Sequence, residues 1–493
     1  MSEVKEFELM KKPDGKEVKE RLKTQKDELF AGQMKIKEKK LPVLIIIEGW
    51  GTSGKGTLIS NIIKNIDPRF FRVCNIGKRT EEEKRYPFIK KYFDLIPQKG
   101  QIRIFDGSPL GEIARLEAEG KISDKEYEER INSINIFERQ LTEDGCLVIK
   151  LFLHIPKKEQ KKRIDELLSD ETTAWRVGKH DLSQNKHYKD YLKAYSKGIE
   201  LTRSAFSPWY VIDGSSENWA CLQALEIINE ALDTAFSNSQ ISYPVLPNTF
   251  PLLKMPKLKD VKLKGKTLTE EEYDKKLDEL QEKLKSLHNE LYLRKIPVLI
   301  CYEGWDAAGK GGNIKRIAAA LDPRGCEVHP IASPEPHEKA RHFLWRFWTR
   351  LPKDGHVAIF DRTWYGRVMV ERIEGFCSEN EYKRAYNEIN EFEKELTDWG
   401  AIVIKFWVHI DKDTQLERFN DRQNTPEKQW KITDEDWRNR EKWDLYETAV
   451  DEMLKKTSTE FAPWYILESV DKKYARIKAL EIVIKCIEDK ING

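Results

Sequence analysis

Pro42-Val43-Leu44-Ile45 returns as Pro297-Val298-Leu299-Ile300, 255 residues later in a chain of 493. The register then holds. Glu48-Gly49-Trp50 matches Glu303-Gly304-Trp305, Asp67-Pro68-Arg69 matches Asp322-Pro323-Arg324, and Ile104-Phe105-Asp106 matches Ile359-Phe360-Asp361, all at the offset of 255. With His154-Ile155 against His409-Ile410 and Pro208-Trp209-Tyr210 against Pro463-Trp464-Tyr465, about 170 residues align without insertion or deletion. A period this long means tandem domains rather than a solenoid. Residues 237–266 turn rich in Pro, Ser, Asn and Lys and lose periodicity, which reads as a linker. The expected division is therefore a first domain over 1–236, the linker over 237–266 and a second domain over 267–493. Past the linker, Tyr273, Leu277, Leu280, Leu284, Leu287 and Leu291 recur four and three apart, a helical stripe that docks on its own domain or meets another subunit.

Each repeat alternates short apolar runs with helical patterns; in the second copy these are 297–302, 313–321, 357–361 and 402–410. That alternation predicts an open α/β fold with a mostly parallel sheet. Long helices are expected to start at Ser123-x-x-Glu126 and Ser378-x-x-Glu381, each a capping box. Directly after the first run comes Gly304-Trp305-Asp306-Ala307-Ala308-Gly309-Lys310, followed by a helical pattern, and its duplicate spans 49–55. A G-x-x-x-x-G-K turn between strand and helix is a phosphate loop (P-loop): glycines let backbone N–H groups face phosphate oxygens, and the lysine adds a point charge. The Ser or Thr that usually follows the lysine and holds magnesium is Gly311 here, so another oxygen must do so, and Asp306 can supply it. Asp361 ends the run 357–361, which places it at the carboxyl edge of the sheet as a second metal carboxylate.

Arg362, Arg367 and Arg372, with Glu371 among them, crowd guanidinium groups just downstream of Asp361, a pattern suited to bidentate phosphate binding. Beyond the last run, Arg418, Arg422, Lys428, Lys431, Arg438 and Arg440 make a basic segment where nucleotide kinases carry a mobile lid. Charge elsewhere is balanced at a formal net +2, so a polyanion must be gripped locally and nucleic acid is not expected as a partner. Seven scattered cysteines without a CxxC pair fit buried thiols in a cytoplasmic protein, and no apolar run approaches the roughly 20 residues that span a bilayer, so no membrane partner is expected.

Taken with Leu344-Trp345-Arg346-Phe347-Trp348, the run 360–368, Val370-Glu371-Arg372, and Arg418-Phe419, Arg422, Pro426 and Trp430-Lys431, the second copy resembles the polyphosphate kinase 2 family throughout its length. The resemblance implies two tandem thymidylate-kinase-like P-loop domains, three-layer α/β/α, each with a helical lid. It also implies Mg²⁺-dependent transfer of the terminal phosphoryl group of inorganic polyphosphate to AMP, giving ADP. By the same resemblance Asp306 and Asp361 hold magnesium, and Lys310 with Gly304, Ala308, Gly309, Gly311 and Gly312 binds the transferring phosphate. Arg362, Arg418 and Arg422 neutralise its charge, while Arg367, Glu371, Arg372, Lys428 and Lys431 complete the phosphate and nucleotide contacts. A homo-oligomer is also expected. Alternatives are polyphosphate-dependent conversion of ADP to ATP, an ATP-dependent nucleoside monophosphate kinase, and a scaffold with both copies inert.

The first copy departs from the pattern, with Gly51 for Asp306, Gly107 for Arg362, Leu110 for Tyr365 and Leu167 for Arg422, while Lys55 and Asp106 remain. It is expected to be a degenerate copy that serves structure, polyphosphate tethering or oligomer contacts.

Overall fold

The structure is a computed structural model and describes residues 7, 9–64, 66–237 and 243–493, without the side chains of Lys428 and Lys431. It divides into two units, the first of Met1–Thr80, Phe88–Tyr243 and Pro336–His342, the second of Glu81–Pro87, Pro244–Glu335 and Phe343–Gly493.

The first unit carries β1 (Val43–Gly49), β2 (Phe71–Asn75), β3 (Ile102–Asp106), β4 (Leu147–His154) and β5 (Trp209–Asp213), and the second β6 (Val298–Gly304), β7 (Cys326–Pro330), β8 (Val357–Asp361), β9 (Ile402–His409) and β10 (Trp464–Glu468). The sheets run β2-β3-β1-β4-β5 and β7-β8-β6-β9-β10, and every pairing is parallel. All seven residues of β1 are buried, as are the first six of β6, so both faces of each sheet are covered, as parallel sheets require. That explains why these strands read as continuous Val/Ile/Leu runs rather than alternating ones.

In the second unit the helix Glu270–Arg294 packs along the helix Lys472–Asn492 and buries Tyr273, Leu284 and Leu291, so the apolar stripe docks on its own domain. The stretch 250–266, expected to be linker, instead lies on this unit. Leu252 bridges Thr459, the amide of Leu258 donates to Asp451 at 2.8 Å, and the Leu258 side chain is buried. Backbone hydrogen bonds and the one buried side chain of Leu258 hold down a stretch otherwise rich in Pro and Lys. Residues 238–242 of the expected linker lie outside the described residues.

Ser378 and Glu381 form a reciprocal capping box. At the first copy's counterpart only half of the box forms, because Ser123 accepts from the Glu126 amide while the Glu126 carboxylate turns to Arg130 at 2.6 Å. Beneath each sheet lies a buried ion pair. Lys405 Nζ donates to Glu393 at 2.6 Å, to the Tyr365 hydroxyl at 2.9 Å and to the Thr457 carbonyl at 2.7 Å, and Lys150 meets Glu138 and the Thr202 carbonyl in the same way. All seven cysteines are free thiols, and among the described residues no helix is long and apolar enough to cross a membrane.

Candidate active site

Strand β6 runs into the loop 304–309 and then the helix Lys310–Ala318. Gly304 has φ of +152°, and a Cβ there would stand 2.5 Å from the Val408 carbonyl oxygen on β9, so glycine is required. Gly309, at φ +113°, turns the chain into the helix, whose free N–H groups and dipole face the loop. Lys310 folds back, its ammonium donating to the carbonyls of Gly304 at 2.7 Å and Trp305 at 3.2 Å. Trp305 is locked beneath by a near-parallel stack on Trp443, with centroids 3.7 Å apart, and by a hydrogen bond to His409 Nδ1 at 3.1 Å. Burial lowers the pKa of that histidine to about 4, which keeps the ring neutral and able to accept.

Asp306 is held from the lid side: Asn439 Nδ2 donates to its carboxylate at 3.0 Å, and Gln415 Nε2 donates to its backbone carbonyl at 3.1 Å. Opposite stands Arg362, with Nη2 3.8 Å from Asp306 Oδ1. It directly follows Asp361, the last residue of β8, which pairs in register with Tyr302 of β6. Burial works against the charge on Arg362, but Asp306, Glu303, Glu435 and Asp361 outweigh it and raise its pKa above the ordinary arginine value. The two expected metal carboxylates therefore act on one guanidinium. Glu303, Asp306, Lys310, Arg362, Glu435 and Tyr446 line a single cavity, which joins the phosphate loop to the lid segment.

Among the described residues no cluster of three or more His, Cys, Asp or Glu side chains could hold a metal by itself. Two carboxylates at a phosphate loop nevertheless suit Mg²⁺, which takes one or two carboxylates and completes its octahedron with phosphate oxygens and water. Gly311 is not forced by crowding, since a Cβ there would meet nothing within 4 Å.

Arg418 stands behind the loop rather than over it. From the helix Lys412–Asn424, its guanidinium donates to the carbonyls of Ala307 and Ala308 at 3.0 and 2.9 Å and of Ser469 and Val470 at 2.6 and 3.1 Å. Burial lowers its pKa to about 10, with Arg422 and Arg476 adding positive charge nearby. Arg422 lies one turn further along the same helix and is half-buried.

Arg367, Glu371 and Arg372 are directed elsewhere. A tight turn over Trp364–Val368 and the short helix Val370–Ile373 bring Arg367 to Glu371 at 3.2 Å and over the Phe343 ring. Arg372 reaches Glu452 at 2.6 Å and the Tyr386 hydroxyl at 3.1 Å. Arg367 and Glu371 pair with each other and Arg372 ties its helix to Glu452 and Tyr386, so the three do not line the phosphate-loop cavity. The side chains of Lys428 and Lys431 lie outside the described residues.

Several residues at or near the site had no signal in the sequence reading. Glu303, Asn439, Gln415, Glu435 and Tyr446 are among them. So are Arg316 and Arg476, which converge on the Tyr273 hydroxyl at 3.2 and 3.5 Å, with the Arg476 guanidinium 3.2 Å from where a Cβ on Gly312 would stand. Only comparison of the two copies hints at this pair, because Asn61 and Cys221 occupy the same positions in the first.

The first unit repeats the frame with glycines at the positions of Asp306 and Arg362. Lys55 donates to the carbonyls of Gly49 and Trp50 at 3.0 and 3.1 Å, and Arg163 clamps those of Ser53 and Gly214, each at 2.8 Å. The lid has closed over the missing carboxylate: Gln184 accepts from the Gly51 amide at 2.7 Å, and a Cβ on Gly51 would fall 2.0 Å from Asp181 Oδ1. An aspartate at 51 would thus require the Asp181 carboxylate, on the helix Lys179–Lys186, to turn away. The exchange of Tyr365 for Leu110, grouped above with the site differences, belongs to the core instead, since Tyr365 is fully buried against Lys405 and Glu393.

The family model for polyphosphate kinase 2 matches residues 12–240 and 267–492. The chain is 38% identical over 467 residues to a polyphosphate:AMP phosphotransferase of Pseudomonas aeruginosa, covering 94% of each chain. It is 36% identical over 453 residues to a polyphosphate:AMP phosphotransferase of Acinetobacter johnsonii, with 90% of each covered. A crystal structure of a polyphosphate kinase 2 from Pseudomonas aeruginosa superposes with a TM-score of 0.85 at 35% identity over 98% of both chains. Two family matches in register with two parallel P-loop sheets, and relatives alike from end to end, establish that this chain belongs to the polyphosphate kinase 2 family.

Proposed function

We propose that the protein transfers the terminal phosphoryl group of inorganic polyphosphate to AMP, giving ADP, and that the second unit carries the reaction with Mg²⁺. The observation that carries this reading is the meeting of Asp306, Lys310 and Arg362 around one cavity at a helix N-terminus, in a chain whose relatives of matching length are named polyphosphate:AMP phosphotransferases. AMP is favoured over ADP because the ADP-polyphosphate phosphotransferase of Pseudomonas aeruginosa matches only 44% of this chain.

Phosphoryl transfer is mostly positioning and charge stabilisation, and the phosphate of AMP is already an adequate nucleophile, so no strong base is required. Loop amides and Lys310 hold the phosphoryl group in flight, and Arg362 balances charge on its oxygens. Arg418 acts indirectly, keeping the loop carbonyls turned away from the phosphate side. Asp306 and Asp361 would hold Mg²⁺, which when bound draws negative charge from the bridging oxygens. Arg316 and Arg476, sharing one tyrosine hydroxyl beside the loop helix, suit the next phosphates of the chain. Incubation with Mg²⁺, long-chain polyphosphate and either AMP or ADP, followed by nucleotide separation, tests the reading. Absence of ADP from AMP overturns it, ATP from ADP alone favours the other acceptor, and excess EDTA should abolish product. Arg476→Ala should raise KM for polyphosphate about tenfold while kcat and KM for AMP stay within about twofold; an unchanged polyphosphate KM would remove Arg476 from the donor site.

A further inference from the structure

Glu303 is a buried carboxylate, 6% exposed, at the root of the phosphate loop. Ordinary phosphate-loop chemistry gives it no task, yet a carboxylate is costly to bury without partners. Its partners lie across the sheet. The backbone amide and the hydroxyl of Thr363 both donate to Glu303 Oε1, each at 2.7 Å, and the Thr363 hydroxyl in turn accepts from the Tyr365 amide at 3.2 Å. One residue earlier, the Arg362 amide donates to the Tyr302 carbonyl at 3.0 Å. Two consecutive amides leaving β8 are thus gripped by two consecutive residues leaving β6.

Between them Arg362 adopts φ of +66°, a left-handed conformation that a non-glycine residue takes only when its surroundings impose it. That conformation accompanies the approach of its guanidinium to Asp306. The first unit supplies the contrast. Its Glu48 accepts from the Ser108 hydroxyl at 2.7 Å, but the intervening residue is Gly107, which takes φ of +99° without strain and carries no side chain to aim.

Resting on the function proposed above, we infer that Glu303 is a positioning residue for phosphoryl transfer: through Thr363 it clasps the loop after β8 to the phosphate loop and so holds Arg362 in the conformation that faces Asp306. Glu303 itself need touch no substrate.

The test uses the full chain and the AMP assay. Glu303→Ala should lower kcat about 100-fold, with KM for AMP and for polyphosphate within about threefold, because aim rather than binding is lost. Thr363→Ser keeps both donors and should retain nearly full activity, whereas Thr363→Val should fall by about tenfold or more. The deciding measurement is a double-mutant cycle with Arg362→Gly, which removes the guanidinium but suits the left-handed backbone. Adding Glu303→Ala to Arg362→Gly should cost less than about threefold, since there is no longer anything to aim. The inference is overturned if the two losses multiply, or if Glu303→Ala leaves kcat within about threefold of wild type. Glu48→Ala removes the matching contact in the first unit and should leave kcat unchanged; an equal fall there would mean general destabilisation and would also overturn the inference. Should Glu303→Ala not fold by circular dichroism, Thr363→Val carries the same cycle. A wild-type chain that makes no ADP from AMP defeats the functional reading instead, so the two failures are distinct.

Discussion

Lys310→Ala is expected to lower kcat for polyphosphate-dependent ADP formation by about 10³-fold, while Lys55→Ala leaves it within about threefold. Both ammonium groups fold back onto two loop carbonyls at similar distances, so geometry at the lysine does not separate them. The difference lies around them. Lys310 shares its cavity with Asp306 and Arg362, so on the proposed function its charge acts together with a second cation and the carboxylate that would hold the metal. At the matching positions the first unit has two glycines, and Gln184 already occupies the Gly51 amide. Steady-state rates with saturating polyphosphate and AMP decide the matter. Equal losses in the two variants would mean that the first unit is catalytic as well, and the proposed division of labour would be abandoned.

The largest expected effect on stability comes from the core. Lys405→Ala should destabilise the second unit by about 3–5 kcal/mol, because it leaves the buried Glu393 carboxylate without its cation. Neither side chain is exposed at all. Burial lowers the Lys405 pKa and raises that of Glu393, each against the attraction of the other, so their charges depend on being paired. Replacing both, as Lys405→Met with Glu393→Leu, should recover much of the loss, since the penalty arises from an unmatched charge rather than from a missing attraction. Urea denaturation of the full chain followed by tryptophan fluorescence reads the effect. A shift below about 1 kcal/mol for the single variant would show that Glu393 is relieved by its remaining donors, the Tyr365 hydroxyl and the Trp364 indole.

Much of the fold was legible because its signals are local. β8 coincides with the expected 357–361, and β6, β9 and the loop helix fall within a few residues of their expected bounds. Asp306 and Lys310 were legible for the same reason, since the loop that carries them is a contiguous motif. Glu303 was not, although it sits one residue before that motif: its task depends on Thr363, 60 residues away, and nothing in spacing joins them. Arg418 was found but its task was not, because only the folded chain shows four carbonyls converging on it. Arg367, Glu371 and Arg372 erred the other way. Closeness in sequence suggested a common target, and a turn followed by a four-residue helix sent them to helix contacts instead. Tyr365 shows the same limit, as its hydroxyl answers a buried lysine that comes from a different strand.

The stack of Trp305 on Trp443 gives the molecule an optical handle. Two indoles 3.7 Å apart and within 10° of parallel are close enough for each to alter the emission and absorption of the other. One member belongs to the phosphate loop, and the other opens the helix that follows the lid segment. In the first unit the corresponding stack joins Trp50 to Tyr188, so the stacked indole pair belongs to the second unit. Separation of Trp443 from the phosphate loop as substrates are added is therefore expected to change the tryptophan signal of the unlabelled protein.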